Sequence, residues 1–449
     1  MDFERLNMSS DEDPLETEVQ NTRKKKTILG GAVLGAVLGA CVVATVTCVA
    51  VLPKDKSGDD NDYCEVIITN RLSPLLIEPG TTTLMYPAPG SNAIRFSSEQ
   101  SVEFACPGKK VKVFDEVLDN SIVSAVCRKD GSFLIKNFAG FVKWESISCS
   151  SISGPIIRKW KNEDLGDDFK ENCFKEGTTM GSIGFYLNQT RYLNAIDICF
   201  NTKTGLALYS RYDLHASVHD RVPNVGNPSF QIDNFFNSKG ILDNALYLTK
   251  NIRVIINQIL GLDSKDLTYI NDKMFINKGH LAPKADFYYA PMQLATYRYI
   301  NVAPQWESFN GGNWNDIEIS VRNYAFDNKV DLKIWTGSYG IASLPNKKKL
   351  STNIYLYATK KVKLFPVPEI FWKLVYDPKK QKAVVLIGHN NPYEDIRKPV
   401  YCNKDVKLSW LKWDANNVQK GYSYACDYND VKLKQTITYL PDIPVKELL

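Results

Sequence analysis

From Ile28 to Leu52 the chain runs for 25 residues without one charged side chain. Such a run exceeds a signal-peptide core and is long enough to cross a bilayer as a helix. A helix held in a membrane cannot join the core of a globular domain, so the run divides the chain into two unequal parts. Arg23, Lys24, Lys25 and Lys26 lie directly before it, whereas Lys54 and Lys56 after it are mixed with Asp55, Asp59 and Asp60. The positive-inside rule then puts the N-terminus in the cytoplasm and residue 53 onward outside or in a lumen, as in a single-pass type II membrane protein. Cleavage of the run as a long signal would instead secrete the remainder. Within it, Gly31, Gly35 and Gly39 recur every four residues, a spacing that offers a close-packed face for a homodimer.

Cysteine usage agrees with export. Cys41 and Cys48 fall in the uncharged run, and eight more follow: Cys64, Cys106, Cys127, Cys149, Cys173, Cys199, Cys402 and Cys426. An even number in an exported segment implies up to four disulfides, with their pairing left open. No C-x-x-C pair occurs, which argues against a zinc site. Asn188-Gln189-Thr190 is a clean glycosylation sequon, whereas Asn227 is followed by proline.

The organisation reads as a polar acidic tail (1–26), the uncharged run (27–52), a charged linker (53–62), a β-rich module (63–160) and a large domain (161–449). Strands are expected at Glu65–Ile68, Thr82–Tyr86, Ser101–Ala105, Lys110–Phe114 and Ser132–Ile135, separated by Pro, Gly, Asn and Asp. Four exported cysteines fall there, so the module should be disulfide-stapled. Further on, strands are expected at Ile196–Asn201, Leu206–Tyr212, Val330–Trp335, Ile354–Ala358 and Ala383–Ile387, and helices over Leu242–Leu260 and Asn313–Ala325. The composition is 44% hydrophobic and 23% charged, which excludes disorder for the bulk of the chain. The first 26 residues hold seven acids and five bases; with a net charge of +5 overall, the remainder carries +7. That mild excess suits a polyanionic substrate without requiring one.

The chemistry-bearing residues are concentrated in one stretch. Asn277-Lys278-Gly279-His280 is followed by Asn301-Val302-Ala303-Pro304-Gln305, then Asn310, Glu318 and Arg322. Taken singly, His280 reads as a structural loop histidine and Glu318–Arg322 as a surface ion pair four residues apart on a helix. Taken together they supply a base for water, a metal ligand and a cation for the transition state, the inventory of phosphodiester hydrolysis. If helical throughout, residues 310, 314, 318 and 322 share one stripe. Lys347-Lys348-Lys349 reads as a solvated turn.

This joint pattern resembles the DNA/RNA non-specific endonucleases of the ββα-metal superfamily, whose motifs are Asp-Arg-Gly-His, Asn-x-x-Pro-Gln and an Asn, Glu and Arg on a helix. The intervals from His280 to Asn301, Asn310, Glu318 and Arg322 match. Further stretches, His280–Phe287, Trp335-Thr336-Gly337, Phe365–Pro368 and Phe371-Trp372-Lys373, are similar to the arthropod secreted branch, and the resemblance covers roughly residues 180–430. It implies an α+β fold with a ββα core and a mixed or antiparallel sheet flanked by helices. It implies cleavage of DNA and RNA, single- and double-stranded, with Mg²⁺, or Mn²⁺ in its place. His280 would be the general base and Asn310 the metal ligand. Glu318 would anchor the metal's waters, Arg322 would neutralise the phosphorus centre, and Asn301 would hold the His280 loop and the metal waters. The family's upstream phosphate arginine would be Arg221. Two positions depart from the pattern. Lys278 stands where the family has Arg, losing the bidentate fork, and Asn277 stands for Asp, losing a carboxylate. They leave a second expectation open, a catalytically weak binding or uptake receptor on the same fold.

Overall fold

The computed structural model describes residues 62–160, 173, 177–233 and 244–449. The acidic tail and the uncharged run with Gly31, Gly35 and Gly39 lie outside the described residues. Among the described residues no helix is long and apolar enough to cross a membrane.

The N-terminal module is built around a five-stranded antiparallel sheet of Leu75–Ile77, Ser101–Ala105, Ile122–Cys127, Phe133–Ile135 and Phe141–Val142. Period-two burial in Ile122–Cys127 sends Val123, Ala125 and Cys127 inward. Cys64–Cys127 and Cys106–Cys149 staple the module. The strand expected at Thr82–Tyr86 is reduced to a bridge between Leu84 and Ile77, because Pro87 and Pro89 follow directly and cannot donate to a ladder. The module shares its core with the large domain. Arg191 Nη1 donates to Glu103 Oε2 at 2.7 Å, the Tyr86 ring stacks on His215 at 3.6 Å, and the Tyr289 hydroxyl donates to the Met85 carbonyl.

The large domain centres on a nine-stranded sheet among the described residues. In chain order its strands are β1 (Ile156–Lys159), β2 (Thr178–Tyr186), β3 (Tyr192–Asn201), β4 (Leu206–Leu214), β7 (Leu332–Tyr339), β8 (Ile370–Asp377), β9 (Lys382–His389), β10 (Ser423–Asp427) and β11 (Glu447–Leu448). Between β4 and β7 the chain forms a separate two-stranded ribbon of β5 (Ile276–His280) and β6 (Val302–Trp306). The spatial order of the sheet is β1-β2-β3-β4-β7-β8-β9-β10, antiparallel throughout, and β11 adds parallel to β9. Cys173–Cys199 and Cys402–Cys426 complete four disulfides.

Both faces of this sheet are covered. Every residue of β8 is buried, and alternate side chains join different cores: Phe371 and Val375 one, Ile370, Trp372, Leu374 and Tyr376 the other. Period two therefore puts Lys373 on the Phe371 face. Helix α1 (Thr249–Leu260) buries Ile252, Ile256 and Leu260 at i, i+4 spacing. The expected Leu242–Leu260 helix is shorter in the structure, starting from a 3₁₀ turn at Asn244–Tyr247.

Candidate active site

In the β5–β6 ribbon the strands pair antiparallel, with Asn277 opposite Gln305, Gly279 opposite Ala303 and His280 opposite Val302. The chain then passes through Glu307–Phe309 and a wide turn, Asn310–Trp314, into helix α2 (Asn315–Asp327). The succession is strand, strand, helix. His280 thus ends a strand instead of lying in a loop, and Asn301 closes a 3₁₀ turn ahead of β6. Gly279 is required by close packing: a Cβ there would lie 2.1 Å from Gln305 Oε1.

The helical stripe expected from 310 to 322 is interrupted. Gly312 has φ −99° and ψ −124°, outside any helix, so Asn310 is out of register with Trp314, Glu318 and Arg322. The cause is the passage of the chain against residues 414–421. A Gly312 Cβ would meet the Lys420 carbonyl at 2.9 Å, Asn313 N–H donates to that carbonyl at 3.1 Å, and Asn313 Nδ2 donates to the Asp414 and Gly421 carbonyls.

Asn301 is fully buried. Its Nδ2 donates to the Ala282 and Thr296 carbonyls at 2.8 and 3.0 Å, and its Oδ1 accepts from Ala282 N–H at 2.9 Å. All of these bonds go to main chain, so Asn301 fastens the segment following His280. The His280 ring is half-buried between Phe230, 5.0 Å away, and Tyr297, met edge-on at 5.1 Å. Its Nε2 is buried with no hydrogen-bond partner among the described residues. Burial, reinforced by Lys284 and Lys278, holds the imidazole pKa down at about 4. It is therefore neutral near pH 7, the form a general base requires. The Lys278 ammonium lies 5.5 Å from the Phe230 ring and 5.3 Å from the Tyr247 ring, a cation–π setting.

Asn277 Nδ2 and Asn310 Nδ2 both donate to Glu307 Oε2, at 3.0 and 3.2 Å. The carboxylate lost at position 277 is thus offset by one at Glu307, which an aspartate at 277 would repel. The Asn310 Oδ1 has no hydrogen-bond partner among the described residues.

Arg322 does not pair with Glu318. Its Nη1 donates to Asp286 Oδ1 at 2.7 Å, and Tyr212 hydroxyl donates to Asp286 Oδ2 at 2.6 Å. Lys373, 1% exposed, donates to Thr336 Oγ1 at 2.6 Å and to the Tyr212 hydroxyl at 3.4 Å. Burial lowers the Lys373 pKa, which Glu318 and Asp286 oppose. Burial pushes the Glu318 carboxyl up to about 7; Asp286 adds to the rise, and Lys373 and Arg322 counter it. Arg221, at the end of the Ala216–Asp220 turn, feels both Arg322 and Asp286, and burial lowers its pKa. Among the described residues the only hydrogen bond of its guanidinium is a long one, 3.4 Å, from Nη1 to the Val218 carbonyl. The arrangement brings Arg221 to the same charged cluster as Glu318 and Arg322.

Asp286 and Lys373 lie in stretches quoted for the resemblance but were given no role there, and Tyr212, Glu307 and Phe230 were given none either. Lys373 had a signal: a lysine inside the apolar run Phe371–Val375 must be buried with a partner. Asp286 had none beyond its neighbourhood, since its partner lies 36 residues away.

Among the described residues no three or more of His, Cys, Asp and Glu converge as a metal cage. A hard, largely hydrated cation needs few protein ligands. The Asn310 oxygen, and a Glu318 carboxyl whose charged form burial disfavours and a cation would restore, fit such an ion.

Three relatives extend the comparison. A salivary endonuclease of Lutzomyia longipalpis is 33% identical over 211 residues, 47% of this chain and 49% of that protein, so the match spans about half the length of that relative. Salivary protein Tsal2A of Glossina morsitans morsitans is 23% identical over 94% of this chain and 99% of its own. A salivary endonuclease of Culex quinquefasciatus is 28% identical over 66% and 76%. Among solved structures, a chain of the EndoG/EndoGI complex matches 44% of this chain and 72% of its own at 16% identity, with a TM-score of 0.27, too low to bear on the fold. Residues 176–431, more than half of the chain and spanning the strand–strand–helix unit with its charged cluster, match the family model of the DNA/RNA non-specific endonucleases, and the chain belongs to that family.

Proposed function

We propose that the protein is a metal-dependent endonuclease that hydrolyses phosphodiester bonds of DNA and RNA, in single and double strands, outside the cytoplasm. The observation that carries this reading is the convergence of Arg322 with buried Asp286 and half-buried Glu318, with Arg221 close enough to feel Arg322 and Asp286, on the same unit that presents a neutral His280.

The roles follow from the contacts. His280 takes the proton of the attacking water on a ring nitrogen, its ring packed by Phe230 and Tyr297. Arg322, oriented by Asp286, and Arg221, whose guanidinium is little engaged, meet the charge that builds on the phosphoryl oxygens. Tyr212 and Lys373 fix Asp286 from behind. Asn310 would hold Mg²⁺, or Mn²⁺ in its place, through Oδ1, and Glu318 would accept hydrogen bonds from its waters. When bound, such an ion supplies positive charge to the leaving 3′ oxygen and a nonbridging oxygen. The product would carry a 5′ phosphate. Contacts of this kind go to phosphates and not to base edges, which explains indifference to sequence.

The four disulfides support an oxidising compartment. On sequence grounds, Ile28–Leu52 would anchor the protein with its large domain outside, and Gly31, Gly35 and Gly39 would pair two copies. The reading is tested by incubating purified protein with plasmid and with double-stranded RNA, in Mg²⁺ and in chelator. Cleavage of both that chelator abolishes is expected, and absence of metal-dependent cleavage would sink the proposal.

A further inference from the structure

Asn188 lies in the turn between β2 and β3, where the N-terminal module meets the large sheet. Leu187 N–H donates to the Arg191 carbonyl at 2.9 Å and closes the turn. Three donors converge on Asn188 Oδ1: Arg191 N–H at 2.7 Å, Thr190 N–H at 2.9 Å and Thr190 Oγ1 at 3.1 Å. The amide is therefore held by its oxygen alone. Its Nδ2 makes no hydrogen bond among the described residues, and the side chain is exposed. Beside it opens a cleft of about 380 Å³ whose wall includes Asn188 and Arg191 from the large domain and Asn120, Ser121, Ser124 and Lys136 from the module. Amides and hydroxyls share the lining with the Glu103–Arg191 ion pair and with Ile122, Val123 and Leu187, a mixture that suits a sugar, which offers many hydroxyls and an apolar ring face. The volume falls in the range of small-ligand sites.

We propose that Asn188 carries an N-linked oligosaccharide and that its first sugars lie in this cleft, bridging the module to the large sheet. In the transfer, Nδ2 forms a bond to the anomeric carbon of a lipid-pyrophosphate-linked oligosaccharide. The bond from that carbon to the pyrophosphate oxygen breaks, the pyrophosphate leaves with the electron pair, and the amide loses one proton to solvent. Thr190 orients the acceptor amide through its hydroxyl, as the hydrogen bond to Oδ1 already does. The glycan is covalently tethered at the mouth of the cleft, so it reaches the lining at high effective concentration. The proposal rests on export, for which the disulfides speak, and not on nuclease activity.

The full chain is expressed in insect cells, and the peptide containing Asn188 is weighed in the native protein and in Asn188→Gln, Thr190→Ala and Thr190→Ser. An N-acetylhexosamine-containing increment is expected in the native protein and Thr190→Ser, and in neither of the others. An unmodified Asn188 in protein whose disulfides have formed overturns the modification, and so does recovery of the chain with free thiols, because export is its premise. Hydrogen exchange then tests the seat. Residues 120–124 and 136–137 should exchange several-fold more slowly in the glycosylated protein than in Asn188→Gln, and equal rates overturn the bridging role.

Discussion

His280 is neutral because of what surrounds it, and that can be measured directly. Phe230 packs on the ring at 5.0 Å and excludes water from one side. The place of Phe230 is fixed by its neighbour: Gln231 N–H donates to the Tyr297 carbonyl at 3.0 Å, and Tyr299 N–H donates to the Gln231 carbonyl at 3.1 Å. Ring-proton NMR should find His280 titrating near 4. In Phe230→Ala, rehydration favours the charged form, so the midpoint should rise toward the ordinary value of about 6.5; an unchanged midpoint would show that Phe230 does not shield the base. Glu318 has the opposite sign. Its carboxyl is raised to about 7, so acidification below that value protonates it and would remove the acceptor proposed for the metal's waters. Mg²⁺ affinity, measured by calorimetry, should therefore fall as pH drops from 8 to 6, and affinity independent of pH would contradict its role. Asp286→Ala leaves the Arg322 guanidinium buried without its partner, which should cost about 3–5 kcal/mol of stability by denaturant titration. His280, Asn310, Glu318 and Arg322 could be named as candidates because their spacing along the chain carries the pattern. Asp286 and Phe230 were not, because each acquires its role from an approach between segments that are distant in sequence.

The strand–strand–helix unit depends on two glycines for different reasons. Gly279→Ala drives a methyl group into Gln305, whose own side chain is fully buried and cannot move aside. Overpacking of this kind costs about 1–3 kcal/mol, and it should shift the His280 strand end as well. A reduced denaturation midpoint together with reduced cleavage is expected; a variant with native values for both would mean that the ribbon has slack. The wide turn at Gly312 explains why the expected helix from Asn313 begins two residues later, at Asn315. No local signal predicts this, because the turn is set by the Lys420 carbonyl and by Asn313 bridging to Asp414 and Gly421. The strands at Ile196–Asn201 and Leu206–Tyr212, although almost wholly buried, were readable as short apolar and aromatic runs separated by the turn residues Thr202–Gly205. The wholly buried β8 was missed, since a continuous apolar run has no period to distinguish strand from helix.

At the scale of the molecule, acid stability depends on His389 and His280, both of whose pKa values burial lowers. His389 is 2% exposed, both ring nitrogens lack hydrogen-bond partners among the described residues, and burial among Tyr401, Tyr422 and Tyr424 holds its pKa at about 4. The unfolded chain takes up a proton near 6.5 that the folded His389 refuses until about 4, so this group's contribution to stability falls as pH drops through that window, by at most about 1.4 kcal/mol per unit. His280 adds a loss of the same sign, while Glu318, raised when folded, opposes both between about 7 and 4.5. His389→Phe should flatten the decline of thermal midpoint from pH 6.5 to 4, and an unaltered slope would remove His389 as a cause. The catalytic reading of the whole molecule is tested most directly by one comparison: cleavage of supercoiled plasmid in Mg²⁺ by the native protein and by His280→Ala. Loss of the general base should lower the rate on the order of 10²–10⁴-fold while circular dichroism and the denaturation midpoint stay native. Native protein that cuts no faster than His280→Ala would contradict the assignment of His280 as the base and the account built on it.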